Sequence, residues 1–231
     1  MQGNQLKTKA VNGVFWTFTQ RFMSIFIQFI SNIILARLLT PDDYGCIGML
    51  TIFMLLSATI IDGGFSSALI QKKRPTQEDY STIFFWNVGL SIVIYLILFY
   101  TAPFIARFYH TELLCQVLRV QGVVLIINAL QTIQVNQLNK QFKFKKISIV
   151  SLTATIISLM VTIIMAYKGY GVWSLVAQNL LMSAIPAFIY WTTNKWKPSL
   201  VFSRSSFKEL FNFGAYILLT HIINTLGTNI Q

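Results

Sequence analysis

The sequence predicts an all-α polytopic membrane protein: a six-helix transmembrane bundle forming an N-terminal lobe, followed by the start of a seventh helix. Three observations carry that reading. Hydrophobic residues make up 55% of the 231 and charged residues only 11%, well outside the norm for soluble domains. The mean hydropathy is +0.61. Six apolar runs, at 11–36, 44–70, 81–106, 113–139, 147–167 and 170–193, reach the roughly 20 residues that a spanning helix needs. A seventh run opens near Phe207 and is still in progress at Gln231, which divides the chain into a lobe over 1–206 and the first, truncated helix of a second lobe over 207–231. The first run is too long for a cleavable signal peptide and has no small-residue cleavage site.

Helix starts agree with these limits. A Ser or Thr followed three positions later by an acidic residue satisfies free amides and suits the positive end of the helix dipole. Thr40-Pro41-Asp42-Asp43 precedes the second run, Thr76-Gln77-Glu78-Asp79 the third and Ser206-Phe207-Lys208-Glu209 the seventh.

Orientation follows from the 18 Lys and Arg, because cytoplasmic loops retain positive charge. With the N-terminus cytoplasmic, the inner segments hold 13 of them: Lys7, Lys9, Lys72, Lys73, Arg74, Lys140, Lys143, Lys145, Lys146, Lys195, Lys197, Arg204 and Lys208. The outer loops hold only Arg37, Arg107 and Lys168, while Arg21 and Arg119 fall inside spans. The net charge of +11 is therefore a topology signal with added attraction for anionic membrane lipids. It does not indicate nucleic-acid binding, since the basic residues are spread over four short loops. Cys46 and Cys115 lie near outer helix ends and read as two small buried hydrophobes, with a periplasmic disulfide as the alternative. His110 and His221 are lone, and neither metal-ligand spacing nor a phosphate-cradling glycine loop occurs, so no metal or cofactor is expected.

The informative residues lie inside the membrane. Gly13, Thr17, Gln20, Arg21, Ser24, Gln28, Ser31 and Asn32 recur at three- and four-residue steps in the first span, which places them on one stripe about 120° wide. Such a stripe must face water or other polar groups, not lipid. At about 1.5 Å of rise per residue, Arg21 lies roughly 18 Å beyond Lys9, Asp62 roughly 15 Å before Lys72 and Gln131 roughly 14 Å before Lys140. Gln131, Gln134, Gln137 and Gln141 recur along one side of the fourth span, and Arg119 sits near its outer end, as an interfacial snorkelling residue or a ligand. Two readings of Asp62 and Arg21 stand side by side. They form a buried pair that joins two helices, with Gly63 and Gly64 allowing close approach, or Arg21 faces a hydrated cavity and binds an anion while Asp62 orients it. The Ser151, Thr155, Ser158 and Thr162 stripe of the fifth span reads as a close-packing face.

The runs Ile34-Leu35-Ala36-Arg37-Leu38-Leu39-Thr40-Pro41-Asp42-Asp43-Tyr44-Gly45, Asp62-Gly63-Gly64-Phe65-Ser66-Ser67-Ala68-Leu69-Ile70-Gln71-Lys72 and Ser81-Thr82-Ile83-Phe84-Phe85-Trp86-Asn87 resemble the Wzx/TuaB-like polysaccharide flippases of the multidrug/oligosaccharidyl-lipid/polysaccharide exporter superfamily. Ala102-Pro103-Phe104-Ile105-Ala106-Arg107-Phe108-Tyr109, Phe142-Lys143-Phe144, Gly169 to Gln178 and Phe211-Asn212-Phe213-Gly214 follow in the same order. The resemblance implies a two-lobed transporter with a central cavity that opens alternately to each side of the bacterial inner membrane. Its substrate would be a polyprenyl-diphosphate-linked oligosaccharide, and its partners would be membrane lipids and other polysaccharide-assembly membrane proteins. Candidate substrate-binding residues are Arg21, Gln20, Ser24, Gln28, Asp62, Gln131 and Arg119. No covalent chemistry is expected. A multidrug or cation antiporter of the same superfamily, with Asp62 as its carboxylate, a membrane glycosyltransferase or polymerase fragment, and a structural scaffold are the competing classes. Asn212-Phe213-Gly214-Ala215-Tyr216 loosely echoes Asn12-Gly13-Val14-Phe15, with His221 opposite Gln20, as expected of a repeated lobe.

Overall fold

The computed structural model describes the backbone of residues 2–214 and the side chains from Gly13 onward except that of Val14. The proposed echo around His221 and most of the seventh run lie outside the described residues, as do the side chains of Lys7 and Lys9. Eight helices are bounded in chain order: α1 (Gln2–Leu38), α2 (Pro41–Asp62), α3 (Phe65–Gln71), α4 (Gln77–Phe108), α5 (Leu113–Gln121), α6 (Val123–Lys140), α7 (Phe144–Tyr167) and α8 (Val172–Thr193). A further helical segment, α9, covers residues 204–214. Among the described residues six spans are long and apolar enough to cross a membrane, α5 and α6 together making the fourth. Strands are absent among the described residues.

The helix starts are built as the sequence indicates. Thr40 Oγ1 accepts the Asp43 amide while the Asp43 carboxylate accepts the Thr40 amide at 2.8 Å, and Thr76 and Asp79 repeat the box at α4. Each box satisfies two amides that hydrocarbon and headgroups would leave unpaired. The expected box at Ser206 and Glu209 does not form. Helix α9 starts three residues earlier, with the Ser206 amide donating to Ser203 Oγ at 3.3 Å, and Glu209 is drawn to Lys72 instead. A serine one turn upstream can serve the same amides, so the local motif alone did not fix the register.

The second span breaks after Asp62. Gly63 and Gly64 both adopt left-handed backbone, at φ 55° and 75°, a conformation costing a Cβ-bearing residue about 1–2 kcal/mol. A second constraint acts there. The Gly214 carbonyl lies where a Cβ on Gly64 would stand, and a Cβ on Gly214 would come 2.7 Å from the Gly63 carbonyl. Helix α9 therefore crosses the break backbone to backbone.

Each end of the bundle has its own apolar core. At the end where α2 begins, Cys46, Leu50, Ala102, Leu114, Val117 and Val176 join α2, α4, α5 and α8. Both cysteines are free thiols within or against this cluster. At the opposite end Phe65, Leu69, Ile83, Ile133 and Leu210 join α3, α4, α6 and α9, backed by Trp191, Trp196 and Phe207. Helices α7 and α8 share the most extensive seam, and α1 packs chiefly on α7. On α7, Ser158 and Thr162 are fully buried and bond carbonyls of their own helix, with Thr162 Oγ1 donating to the Ser158 carbonyl at 2.7 Å. Short side chains that satisfy themselves let neighbouring helices approach closely.

The end that carries the lysines is cross-braced. Lys72 Nζ contacts Asp79 at 3.0 Å and Glu209 at 2.9 Å, tying the α3–α4 turn to α9. Burial works against the Lys72 ammonium, but hydrogen bonds to Glu209 and Asp79 outweigh it and raise its pKa above the ordinary value of 10.5. This stabilisation is present in full below that ordinary value and is lost only as pH rises through the raised one. Lys140 Nζ donates to the carbonyls of Leu69, Ile70 and Lys72, closing the C-terminus of α3.

Replacing Gly64 by Ala is expected to cost about 1–2 kcal/mol in backbone strain and about 1–3 kcal/mol more in displacing α9. Gly89→Ala, at a helical position with nothing within 4 Å of the added carbon, is expected to be neutral or stabilising. Thermal melts of the two purified variants in one detergent check the contrast; equal melts would remove the Gly64–Gly214 crossing as a constraint.

Candidate functional site: an intramembrane cleft and a divided polar stripe

The polar stripe of α1 has two halves with different fates. At about 100° per residue, Gly13, Gln20, Ser24 and Ser31 lie within the first 40° or so, whereas Arg21, Gln28 and Asn32 lie roughly 80–120° round. The first half forms the seam with α7. A Cβ on Gly13 would come 2.5 Å from the Phe144 ring, and Gln20 Nε2 donates to Ser151 Oγ at 3.3 Å. Ser148 Oγ donates to the Trp16 carbonyl, and Ser31 is buried. Arg21, Gln28 and Asn32 stay exposed. The polar half of α1 left uncovered is therefore narrower than the sequence suggests.

Arg21 and Asp62 do not pair. Among the described residues both ion pairs are made by Lys72. Asp62 is half-buried and accepts from Ser66 Oγ, which itself accepts from Asn136 Nδ2 at 3.0 Å. That chain holds the broken end of α2 to α3 and α6. Equal depth was the basis for the pairing, but α1 packs on α7 and leaves α2 on other neighbours. Arg119 is engaged elsewhere, with Nε donating to the Phe99 carbonyl at 3.3 Å and its guanidinium 4.3 Å from the centroid of the Phe99 ring. This geometry anchors α5 on α4 at the end of the bundle where α2 begins.

A cleft of about 570 Å³ opens between α2, α5, α6 and α8. Its walls are apolar, through Leu50, Met54 and Leu55, with Thr51, Gln121, Asn128, Asn179 and Ser183 as polar points. Gln121 is 6% exposed and its Oε1 has no partner. Asn128 Oδ1 accepts from Gln131 Nε2 at 2.8 Å, and Gln131 Oε1 is buried without a partner. Gln131 thus stands one residue behind the cleft wall. The rest of its expected stripe does something else: Gln134 is fully buried, donates to the Trp196 carbonyl at 3.2 Å and accepts from Asn194 Nδ2 at 2.8 Å. It is a brace between α6 and the segment after α8. No group of His, Cys, Asp and Glu suited to a metal occurs among the described residues.

Residues 34–231 match the model of a family described as polysaccharide biosynthesis proteins. The chain belongs to that family. It is 27% identical over 96% of its length to the teichuronic acid biosynthesis protein TuaB of Bacillus subtilis (strain 168). It is 22% identical over 98% to the lipopolysaccharide biosynthesis protein WzxC of Escherichia coli (strain K12) and 22% identical over 90% to the succinoglycan biosynthesis transport protein ExoT of Rhizobium meliloti (strain 1021). It covers 46%, 46% and 42% of these proteins, so the chain spans about half the length of the curated relatives it matches. No solved structure gives a significant match. The family match begins at Ile34, so Asp62, Arg119, Gln131 and the cleft lie inside it and the α1 stripe lies before it.

Sequence reasoning missed Gln121, Asn128, Asn179 and Ser183. A signal was available, because Gln121, Asn128 and Gln131 are spaced by seven and three residues and share a helix face. The longer run of glutamines from 131 to 141 obscured it.

A buried amide oxygen without a partner costs about 1–3 kcal/mol. Gln121→Leu is therefore expected to hold or raise thermal stability, while Asn128→Leu, which strips Gln131 of its acceptor, is expected to lower it by about 1–3 kcal/mol. A loss of stability in Gln121→Leu comparable to that in Asn128→Leu would mean that Gln121 is satisfied after all.

Proposed function

We propose that this protein belongs to a flippase that translocates polyprenyl-diphosphate-linked oligosaccharide across the bacterial inner membrane by alternating access, for polysaccharide or lipopolysaccharide biosynthesis. The observation that carries the reading is the uncovered half of the α1 stripe, with Arg21 exposed near mid-span in a family of polysaccharide biosynthesis proteins. A diphosphate cannot cross roughly 30 Å of hydrocarbon unaided. An arginine near the middle of a hydrated groove offers it a bidentate partner, while the sugars stay wet and the polyprenyl tail stays in lipid. Gln28 flanks Arg21 on the same exposed face. The cleft with Gln121 and Asn128 supplies further amides suited to sugar hydroxyls, and Gln131 supports Asn128 from behind. Gln20 holds α1 in place against α7 and Ser24 lies on the same half of the stripe, while Asp62 and Arg119 hold their own helices, so these four position the groove and do not line it.

Transport of this kind forms and breaks no covalent bond; one lobe rocking against another changes the open side. The antiporter reading needs a carboxylate free to bind a cation in the cavity. Asp62 lies outside the cleft lining and is committed to Ser66, which weighs against it.

The charge distribution supports a cytoplasmic N-terminus. Cysteines introduced at Lys73, Lys145 and Lys197 are expected to resist a membrane-impermeant label applied to intact cells, and one at His110 is expected to react. The reverse pattern would invert the topology.

Arg21 is tested in the complete gene product by complementation of a flippase-deficient strain. Arg21→Ala and Arg21→Gln are expected to abolish surface polysaccharide at near-normal expression, and Arg21→Lys to restore part of it, because the charge remains and the planar fork is lost. The double variant Arg21→Gln/Asp62→Asn is expected to express and stay inactive. An active double variant would remove Arg21 from the substrate site.

A further inference from the structure

At the lysine-bearing end, a second cleft of about 350 Å³ lies between the end of α6, the start of α7 and the segment after α8. Three lysines line it, Lys143, Lys146 and Lys195, together with Asn194, Leu138 and Trp196. No carboxylate lines it, and among the described residues both ion pairs lie elsewhere, at Lys72.

The structural uses of lysine at this end do not account for these three. Lys72 neutralises carboxylates and Lys140 closes α3. By contrast, the last carbonyls of α6 are already taken by backbone amides, those of Gln141, Phe142 and Lys143 bonding to Gln137, Asn139 and Leu138. Lys146 Nζ bonds Asn194 Oδ1, an aim that holds its ammonium at the cleft. Lys143 and Lys195 are exposed and make no side-chain hydrogen bond among the described residues. Lys143 also sits at the N-cap of the 24-residue helix α7 with no side-chain acceptor there, so the positive end of that helix adds to the field. Like charges gathered round one concavity repel unless an anion joins them.

The surroundings specify where that anion is attached. The cleft lies at the boundary of the spans Leu113–Lys140 and Phe144–Tyr167, at headgroup level, with Leu138 and Trp196 in its lining. Beside it Phe142 takes a left-handed backbone, φ 56°, and remains 48% exposed, an aromatic placed where acyl chains begin.

We propose that this cleft is a binding site for the phosphate of a membrane-lipid headgroup. The lysine ammoniums hold the phosphate oxygens, the Asn194 side chain keeps Lys146 aimed inward, and the exposed Phe142 ring flanks the upper part of the lipid chains. The site is separate from Arg21 and from the intramembrane cleft, and it stands whether or not the protein transports. Two lipids carry this chemistry, an anionic phospholipid of the bulk leaflet and a polyprenyl diphosphate.

The test uses the full chain in phosphatidylcholine nanodiscs doped with either phosphatidylglycerol or undecaprenyl diphosphate, with retained lipid read by native mass spectrometry after detergent extraction. The wild-type chain is expected to retain at least one doped lipid, and the lipid retained identifies the source. Lys143→Gln/Lys195→Gln, which alters two exposed side chains and leaves the Lys146–Asn194 bond intact, is expected to weaken that retention roughly tenfold. A control with the same charge loss at the same end, Lys73→Gln/Lys208→Gln, is expected to retain as the wild type does. Equal loss in both variants would mean diffuse attraction to the basic surface and would overturn the site, as would undiminished retention in Lys143→Gln/Lys195→Gln. A Lys143→Arg/Lys195→Arg variant with near-normal retention separates lost charge from lost folding.

Discussion

The fold depends on one constraint: within hydrocarbon, every polar group must find its partner inside the protein. Apolar surface gives little reason for two helices to leave lipid for each other, so association rests on close packing and internal hydrogen bonds. The α1–α7–α8 side follows this rule, with glycine, serine and threonine at the seams and hydroxyls returned to their own backbones. The rule also makes its exceptions informative. Among the described residues the buried oxygens of Ser24, Asn87, Gln121, Gln131 and Ser174 have no partner; that of Gln121 lies in the wall of the intramembrane cleft, where water or a sugar hydroxyl can reach it.

Positive charge at one end of the bundle is made up of two populations. Lys72 and Lys140 are absorbed into structure, each bridging elements that the chain does not connect directly. Lys143, Lys146 and Lys195 gather round a concavity with no acidic counterpart. Counting charges for topology treats the two alike, since insertion reads only sign and position. Folding separates them according to whether a carboxylate or an orphan carbonyl lies within reach.

The spans and two capping boxes were legible in the sequence because each is a local property: a run of apolar residues, a side chain three residues from an amide. Whether Arg21 and Asp62 pair was not, because matching depth fixes position along the membrane normal and leaves the neighbour undetermined. Helix α1 turned to α7, and the chain lengths gave no sign of that choice. The glutamine stripe misled for a related reason. Periodicity shows that Gln131 and Gln134 share a side of α6, but only the packing of the segment after α8 commits Gln134 to Trp196 and Asn194. At α9 the Ser206 motif was sound chemistry in the wrong register, since Ser203 could serve the same turn.

The crossing of α9 over Gly63 and Gly64 has a mechanical consequence. Where helices meet through side chains, rotamer changes absorb small shifts, and one helix can slide or turn while its neighbour stays still. Here carbonyl lies against alpha carbon with no side chain between them, so the contact has no slack. A rotation of α9 about its own axis is passed to the broken end of α2, and through Ser66 and Asn136 to α6. The junction behaves as a meshed bearing and not as a cushion, and α9 is geared through the break in α2 to α6.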